Sequence, residues 1–304
     1  MNCVRTFYKF VFFCYNDYGD NMKDIIEAFN YVYNKEILNV EKTLGSQNDV
    51  FIITTNTKKY ILKKYCFTDL QSLKEREEQL RISKIWNDNG IPCVQPLTSI
   101  YSLNGNYFII YPYIEGINYN EGELNKEQVE KIAKIQARMH KLHIRTWLPC
   151  HNKVIKYKKA IIQDVIDKCN SSIEFGKNEL CVCHNDFKPL NIIWVDDNPY
   201  IVDFDAVYKN NPTFSLIESA YTNCHKGNEI DMDLFEIYIN SYKKEYKHKL
   251  KNVFDAIYGS WNGKLQWLDY LTNNRADDLG IEDLTNQMVN YQKYVSDIKR
   301  FLDE

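Results

Sequence analysis

Hydrophobic and polar residues follow two different periods along the first third of the chain, one typical of strands and one typical of a helix. The strand-like runs are rich in β-branched and aromatic residues. A short polar turn joins the first two runs, which predicts an antiparallel hairpin. Between the second and third runs, apolar residues recur at helical spacing from Leu70 to Trp86, and Gly90 follows them. The predicted strands are residues 49–55, 60–65, 96–100 and 107–111.

The rest of the chain has a mainly helical pattern. An apolar stripe runs from Val129 to Leu142, a second helix is expected at residues 154–169, and helical patterns return from Thr213 to the end. One β-rich stretch, residues 180–205, interrupts them. Strands first and helices afterwards indicate an α+β protein. The predicted segments are an N-terminal extension outside the fold, a β-rich part and a helical part, at residues 1–21, 22–114 and 115–304.

The composition excludes several classes of protein. The sequence has 304 residues, of which 44% are hydrophobic and 26% charged, with a formal net charge of −3. These values exclude collagen-like, disordered and polybasic nucleic-acid-binding chains, so no nucleic-acid partner is expected. No stretch approaches the roughly 20 apolar residues that cross a membrane. The nine cysteines lack zinc-site or disulfide spacings, which predicts free thiols in a reducing cytoplasm in place of a zinc site.

The densest group of chemically active residues lies in the segment CVCHNDFKPLNIIWVDDNPYIVDFDAVY, residues 181–208. Asn191 follows Asp186 by five residues, and Asp203 follows Asn191 by twelve. Two apolar strands and a polar turn separate Asn191 from Asp203. Folding this hairpin therefore brings its open ends within reach of one ion, because cross-strand neighbours lie about 5 Å apart. Phosphoryl transfer needs such groups: a carboxylate that orients the attacking hydroxyl, and oxygen ligands for Mg²⁺.

The text HNDFKPLN, followed by IVDFD, resembles the catalytic loop of the aminoglycoside phosphotransferase and choline kinase superfamily. The resemblance implies an α+β, bilobal protein-kinase-like fold, with a small N-lobe of antiparallel sheet plus one helix and a larger, mainly helical C-lobe. It implies that Asp186 is the catalytic base and that Lys188 neutralises the transferred phosphate. Asn191 and Asp203 would be the metal ligands. Asn185 stands where protein kinases carry the arginine of H-R-D, and His184 is expected to be a buried residue that shapes the loop.

The same resemblance implies a strand lysine that contacts the phosphates and a helix glutamate that orients it. Lys63 matches the lysine, with Lys64 on the opposite face of the strand as the alternative. Glu77 matches the glutamate, with Glu78 as the alternative.

Two shorter segments complete the implied nucleotide site. Ser46, beside the single glycine of its turn, is the candidate for binding phosphate through backbone amides, although a plain β-turn fits equally. IIYPYIEG resembles the hinge between lobes, where backbone groups bind adenine. Pro112 has no N–H, so it could only accept a hydrogen bond through its carbonyl, whereas Ile114 could donate its N–H. A turn that leaves the sheet is the alternative for this segment.

The sequence therefore predicts an ATP- and Mg²⁺-dependent kinase, with GTP as the other possible donor, that phosphorylates a hydroxyl group of a small molecule. From Asn210 onward there are 15 acidic and 11 basic residues, a balance of −4, which favours a cationic acceptor such as an amino sugar or choline. Trp261, Trp267 and Tyr270 are expected in the core rather than in an acceptor pocket. A non-catalytic kinase-like binding or spore-coat-associated protein is one alternative. A protein kinase is the other, disfavoured by Asn185 and by the lack of A-P-E after Asp203.

Overall fold

The computed structural model describes residues 19–43, 48–177, 179–227, 229–247, 253–274 and 278–303. Ser46 and the first 18 residues lie outside these ranges. The chain divides into two compact units. The first contains Met1–Asp69 and Pro96–Tyr113, and the second contains Leu70–Gln95 and Ile114–Glu304.

The described part of the first unit consists of one helix and a five-stranded antiparallel sheet, whose strand order is β1-β2-β3-β5-β4. The predicted hairpin is confirmed as the second and third strands, in which Val50 pairs with Lys63. The elements are α1 (Gly19–Tyr33), β1 (Ile37–Lys42), β2 (Asp49–Thr55), β3 (Lys59–Tyr65), β4 (Tyr101–Leu103) and β5 (Asn106–Pro112).

The core of the first unit lies between α1 and one face of the sheet. Ile25, Ala28 and Phe29 are fully buried, at the three- and four-residue spacing of a helix face. Helix α1 begins at Gly19, three residues before Met22, where the amphipathic pattern opens. The strands contribute alternate residues to the same core: Phe51, Ile53, Tyr60, Leu62, Phe108 and Ile110.

The strand expected at residues 96–100 is not formed, and Tyr101–Leu103 pairs with β5 instead. Pro96 has no N–H to give to a ladder. The next residues bond to β5 irregularly, since Leu97 N donates to Ile110 O at 2.7 Å while Ile110 N donates to the Thr98 hydroxyl at 3.1 Å. A side chain thus replaces a backbone acceptor, which explains why the β-rich composition misled the prediction.

The second unit is mainly helical and contains three small sheets, each of two or three strands. Its helices are α2 (Leu70–Asp88), α3 (Lys126–Lys141), α4 (Gln163–Gly176), α5 (Pro212–Asn223), α6 (Met232–Glu245), α7 (Val253–Gly259), α8 (Asn262–Asn274), α9 (Asp278–Tyr291) and α10 (Val295–Asp303). Short 3-10 helices occur at Ala160–Ile162, Pro189–Asn191 and Gln292–Tyr294. Its strands are β6 (Ile117–Asn118), β7 (Cys181–Cys183), β8 (Ile192–Val195), β9 (Asn198–Ile201), β10 (Tyr208–Asn210), β11 (His225–Lys226) and β12 (Glu229–Ile230).

Helix α3 follows its predicted stripe closely. Val129, Ile132 and Met139 are buried in the core of the second unit. The helix begins with a capping box: the Asn125 side chain accepts from Gln128 N at 3.0 Å, and the Gln128 side chain accepts from Asn125 N at 2.9 Å.

The helix expected at residues 154–169 begins later, at Gln163. Two asparagine side chains satisfy the backbone that precedes it. Asn170 bonds to both N and O of Ile155, at 2.8 and 3.0 Å, and Asn262 bonds in the same way to Lys153, at 3.0 and 2.7 Å. The segment therefore has hydrogen-bond partners without becoming helical.

The apolar stripe predicted on α2 is only partly buried. Ile82 and Trp86 lie in the core, but Leu70 is 66% exposed, and a polar residue, Gln79, is buried on the inner face.

The aromatic residues in and next to α8 are also divided between the core and the surface. Trp261, just before the helix, is fully buried as expected, whereas Trp267 and Tyr270 stack on each other at the surface with ring centroids 5.1 Å apart. Among the described residues, no helix has both the length and the apolar character needed to cross a bilayer.

Candidate active site

The predicted catalytic loop connects β7 to the β8–β9 hairpin of the second unit. Ile192 pairs with Ile201 at the open end of the hairpin, and Val202 N donates to Asn191 O at 3.0 Å. Asn191 therefore lies opposite Val202, and Val202 is the residue that directly precedes Asp203 in the chain. The structure fixes the register that the sequence leaves open, and it brings Asn191 and Asp203 to the same end of the hairpin.

Asp186 is held by two partners from its own loop. Lys188 Nζ lies 2.9 Å from Asp186 Oδ1, and Asn191 Nδ2 donates to Asp186 Oδ2 at 2.8 Å. The same Asn191 amide donates to the backbone oxygen of Asp186, also at 2.8 Å. The side chains of Asp186 and Lys188 are about one third exposed, at 35% and 32%, so the carboxylate is both ordered and accessible.

Asn191 and Asp203 can supply oxygen ligands for a divalent cation. Both hydrogen bonds of the Asn191 amide nitrogen go to Asp186, which directs its remaining amide oxygen to other partners. Asp203 has a left-handed backbone, with φ at 62°. Carboxylate and amide oxygens are ligands that a hard cation such as Mg²⁺ accepts. The donor set therefore fits the predicted metal.

Asn185 joins the catalytic loop to the strand that follows Asp203. Its Nδ2 donates to the carbonyl oxygens of Cys183, Ala206 and Tyr208 at 3.2, 3.0 and 3.3 Å. Its Oδ1 accepts from Asn210 Nδ2 at 2.8 Å, and its φ is 57°, a region that asparagine tolerates better than most residues. An asparagine at the H-R-D arginine position therefore has a structural role in this chain.

His184 is a buried residue that shapes the loop. It is 1% exposed, its ring lies 5.7 Å from those of Phe187 and Phe204, and its Nε2 donates to Val202 O at 3.3 Å. Burial lowers the pKa of His184, against the attraction of Asp186 and Asp203, which favours a neutral ring.

Helix α2 holds the segment after Asp203. Arg76 Nη1 and Gln79 Nε2 both donate to Asp205 O, the second at 3.0 Å, and Gln79 also donates to Val207 O at 3.1 Å. One turn earlier on the same helix, Glu75 accepts from the Tyr208 hydroxyl at 2.9 Å. The inner face of α2 is polar at Arg76 and Gln79 because these side chains bind backbone groups, whereas Ile82 and Trp86 farther along the helix are apolar.

The two glutamates of α2 that are candidates for orienting the strand lysine, Glu77 and Glu78, have different surroundings. Glu77 is exposed and lies beside Lys74, Arg81 and Trp147 in a shallow depression of 310 Å³. Glu78 is bound to Arg81 through two contacts of 2.7 Å and accepts from the Thr146 hydroxyl at 2.6 Å. The hydrogen bond from Arg81 lowers the pKa of Glu78, against a smaller effect of burial.

In the first unit, the two candidate lysines of β3 also differ. Lys63 is buried, at 7% exposure, and its ammonium lies 5.6 Å from the centre of the Tyr65 ring, whereas Lys64 is half-buried. Pro112 ends β5 opposite Tyr60, and Ile114 is the first residue of the second unit after it.

A group of ionisable residues that sequence reasoning missed acts on the catalytic loop. Burial raises the pKa of Glu218, on α5, to about 8, while Lys264 and Lys188 lower it and Asp186 raises it further. Burial also lowers the pKa of His151 to about 4, which the charge of Asp186 opposes. These residues come from segments far apart in the sequence, so no local motif predicts that they lie near the catalytic loop.

Glu121 belongs to the same group. His225 Nδ1 lies 3.0 Å from Glu121 Oε2. Burial acts to raise the pKa of Glu121, but the hydrogen bond from His225 and the charges of Lys264 and Lys188 lower it overall. The charges of Lys188 and Lys264 therefore act on both carboxyl groups, Glu121 and Glu218.

The elements and the loop define an α+β protein of kinase-like fold, of the phosphotransferase class. The chain belongs to the phosphotransferase enzyme family, whose sequence model matches residues 43–246. The predicted resemblance to aminoglycoside phosphotransferases and choline kinases is thereby confirmed.

Solved structures share this fold at low sequence identity. The choline kinase LicA from Streptococcus pneumoniae has a TM-score of 0.67 and 19% identity, with 91% of this chain and 99% of that chain covered. Spectinomycin phosphotransferase APH(9)-Ia, in complex with ADP and spectinomycin, has a TM-score of 0.65 and 13% identity, with 92% and 98% covered. The amicoumacin kinase hAmiN has a TM-score of 0.63 and 12% identity, with 93% and 94% covered. No curated protein sequence matches the chain significantly.

Proposed function

We propose that the protein transfers the γ-phosphoryl group of ATP to a hydroxyl group of a small molecule, in a reaction that requires Mg²⁺. The observation that supports this most directly is the Asp186 carboxylate, ordered by Lys188 at 2.9 Å and Asn191 at 2.8 Å yet still accessible. A general base needs this combination of fixed orientation and access to substrate.

In the proposed reaction, Asp186 accepts the proton of the acceptor hydroxyl as the acceptor oxygen bonds to the γ-phosphorus. The bond between that phosphorus and the β–γ bridging oxygen breaks, and ADP leaves. Lys188, beside Asp186, offsets the negative charge of the phosphoryl oxygens. Asn191 and Asp203 would hold Mg²⁺, which neutralises charge on the phosphates when it is bound. Asp186 then returns its proton to solvent.

The nucleotide is assigned to residues of the first unit and to the segment after it. Lys63 is the proposed phosphate ligand, with Lys64, the less buried of the two, as the alternative. Glu77, Ser46, Pro112 and Ile114 retain their proposed nucleotide roles. Two proteins of the same fold were solved with ADP or with AMP-PNP and Ca²⁺, which supports a nucleotide and a divalent cation here. ATP is the proposed donor, and GTP is tested beside it.

The acceptor is proposed to carry an amine as well as the reacting hydroxyl. The charge of Lys188 acts on the carboxyl groups of Glu121 and Glu218, and Lys188 is paired with the proposed base. Choline, a quaternary ammonium alcohol, and spectinomycin, which carries amino groups, are named with two of the related structures, and both are cationic, in keeping with this chemistry.

A screen of Mg-ATP and Mg-GTP turnover against choline, ethanolamine, homoserine, aminoglycosides and sugars tests the proposal. Once an acceptor is found, Asp186→Asn should reduce kcat by at least about 10²-fold, since the base is lost, while nucleotide affinity stays within about twofold. Asp196→Asn is the matched control, because it makes the same charge change on the exposed turn of the same hairpin. It should leave both quantities unchanged.

Other outcomes would contradict the proposal in different ways. Wild-type turnover by Asp186→Asn would remove Asp186 from the role of base. Failure of the wild-type protein to bind either Mg-nucleotide would favour a non-catalytic kinase-like protein. Phosphate transfer to protein substrates, with no small acceptor in the screen, would favour a protein kinase.

A further inference from the structure

Two cysteines and one histidine come together directly before the catalytic loop. Cys181 and Cys183 stand on the same face of β7, with their sulfur atoms 3.4 Å apart. His140, in the last turn of α3, lies against this pair, and one ligand atom from each of the three residues lies within 4.8 Å of the others. The sequence spacing predicts no zinc site because the third residue comes from a helix about 40 residues earlier.

The histidine has an uncommitted nitrogen in a buried position. His140 is 2% exposed, and its Nδ1 lies 2.8 Å from the Tyr242 hydroxyl on α6. Within the described part of the chain, its Nε2 has no hydrogen bond of ordinary geometry, and His140 interacts electrostatically with the Cys183 thiol. A buried ring nitrogen without a partner is uncommon in folded proteins and calls for a ligand. Histidines that bind metals usually engage their other nitrogen in such a second hydrogen bond.

The distances suit a tetrahedral ion better than a disulfide. Zinc–sulfur bonds of about 2.3 Å at a tetrahedral angle place two sulfur atoms about 3.8 Å apart, a few tenths of an ångström beyond the separation in the structure. A disulfide would have to join residues two apart on a strand. Their Cα atoms are separated by about 6.8 Å, at the upper limit for that bond.

We propose that His140, Cys181 and Cys183 bind one Zn²⁺ ion, with a water molecule as the fourth ligand. Two sulfur ligands and an imidazole select zinc over Mg²⁺, so this site is separate in chemistry from the oxygen ligands of Asn191 and Asp203. Cys183 is fully buried, whereas Cys181 is partly exposed, which gives the water access from one side. The inference does not depend on the proposed kinase activity.

Bound zinc would connect two elements that support the catalytic loop. Cys183 precedes His184 directly and pairs with Tyr208 in the β7–β10 ladder. His140 belongs to α3, and its partner Tyr242 belongs to α6. The ion would therefore fix the strand that leads to Asp186 against the helical core, and we expect it to raise the melting temperature of the protein.

Metal binding is tested on the metal-free, full-length protein, kept reduced with a phosphine that does not chelate zinc. Zn²⁺ is titrated in competition with a chromophoric chelator, and Co²⁺ is titrated separately to detect its thiolate charge-transfer absorption. We expect one zinc per chain with a submicromolar dissociation constant, and a cobalt spectrum that shows thiolate ligands.

The variants make the test specific to this cluster. Cys181→Ser, at the partly exposed position, and Cys183→Ser should each weaken zinc binding at least about 100-fold and remove the zinc-dependent rise in melting temperature. Tyr242→Phe keeps the ring and removes only the hydroxyl that lies beside His140 Nδ1, and it should weaken binding about 10- to 100-fold. Cys66→Ser, which removes an exposed thiol elsewhere, and Cys224→Ser, which alters a buried one, should bind zinc like the wild type.

The proposal is overturned if the wild-type protein binds no zinc under these conditions. It is equally overturned if zinc affinity survives in both Cys181→Ser and Cys183→Ser, or if the cobalt complex has no thiolate absorption.

Discussion

Asn185 offers the sharpest test of how the catalytic loop is held. Replacing it with alanine removes a side chain that donates to three carbonyl oxygens and accepts from Asn210. Its amide has only two hydrogens, so the loss amounts to about three full hydrogen bonds, or roughly 3 kcal/mol at about 1 kcal/mol each. Alanine also fits a φ of 57° less well than asparagine, which adds about 1 kcal/mol. We therefore expect Asn185→Ala to lower the free energy of unfolding by about 4 kcal/mol.

Asn185→Gly separates the two contributions, because glycine accepts a positive φ but makes no side-chain bonds. It should cost about 3 kcal/mol, less than alanine does. Urea unfolding followed by tryptophan fluorescence and far-ultraviolet circular dichroism measures both variants against the wild type. Losses below about 1 kcal/mol in both would show that the four hydrogen bonds contribute little. A glycine variant less stable than the alanine variant would refute the argument from backbone conformation.

Three further predictions concern the second unit. A methyl group at Gly259 would overlap the ring of Phe214, so Gly259→Ala should lower stability by about 1–3 kcal/mol in urea unfolding, and Phe214→Leu should recover part of it. Burial raises the pKa of Glu218 from 4.5 to about 8, so the folded state keeps a proton that the unfolded chain loses. Stability should fall as the pH rises from about 4.5 to about 8 in the wild type and fall less in Glu218→Gln, in denaturation series across that range. Gly263→Ala would place a methyl group against the Glu218 carboxyl, and it should raise the KM for the acceptor but not for the nucleotide in steady-state kinetics.

The sequence predicts the fold wherever periodicity and burial agree. The β2–β3 hairpin and helix α3 follow their patterns because one face of each element is buried in its own unit. Prediction fails at residues 96–100 and 154–162, where side chains of Thr98, Asn170 and Asn262 bond to the backbone. Such bonds come from residues distant in sequence or from polar side chains that no hydrophobic pattern includes. The residue at which α4 begins is therefore determined by tertiary contacts and not by the local hydrophobic pattern.

The site divides in the same way. The quartet of Asp186, Lys188, Asn191 and Asp203 lies within 18 residues on one loop and hairpin, and its spacing predicts that Asn191 and Asp203 lie at one end of the hairpin, just after Asp186. The contacts of Asp186 with Lys188 and with the Asn191 side chain come from the structure alone. The roles of Lys63 and Glu77 stay predictions, because they depend on segments that a single strand or helix pattern does not bring together. For Asn185 the sequence shows only that an asparagine stands where protein kinases have the arginine of H-R-D. The hydrogen bonds of its side chain explain why asparagine suits this position.

The net charge of a segment is a weak guide to the charge that a ligand meets, and Glu218 shows why. The 15 acidic and 11 basic residues after Asn210 count Glu218 as an anion. Burial raises its pKa to about 8, so it is mostly protonated at pH 7, whereas Glu121 is ionised beside His225. An approaching ammonium group would favour the ionised form of Glu218, as any nearby positive charge does. The proposed preference for a cationic acceptor therefore depends on the ionised Glu121 and on Glu218, which would gain its charge as the ligand binds, and not on the balance of −4 over the segment.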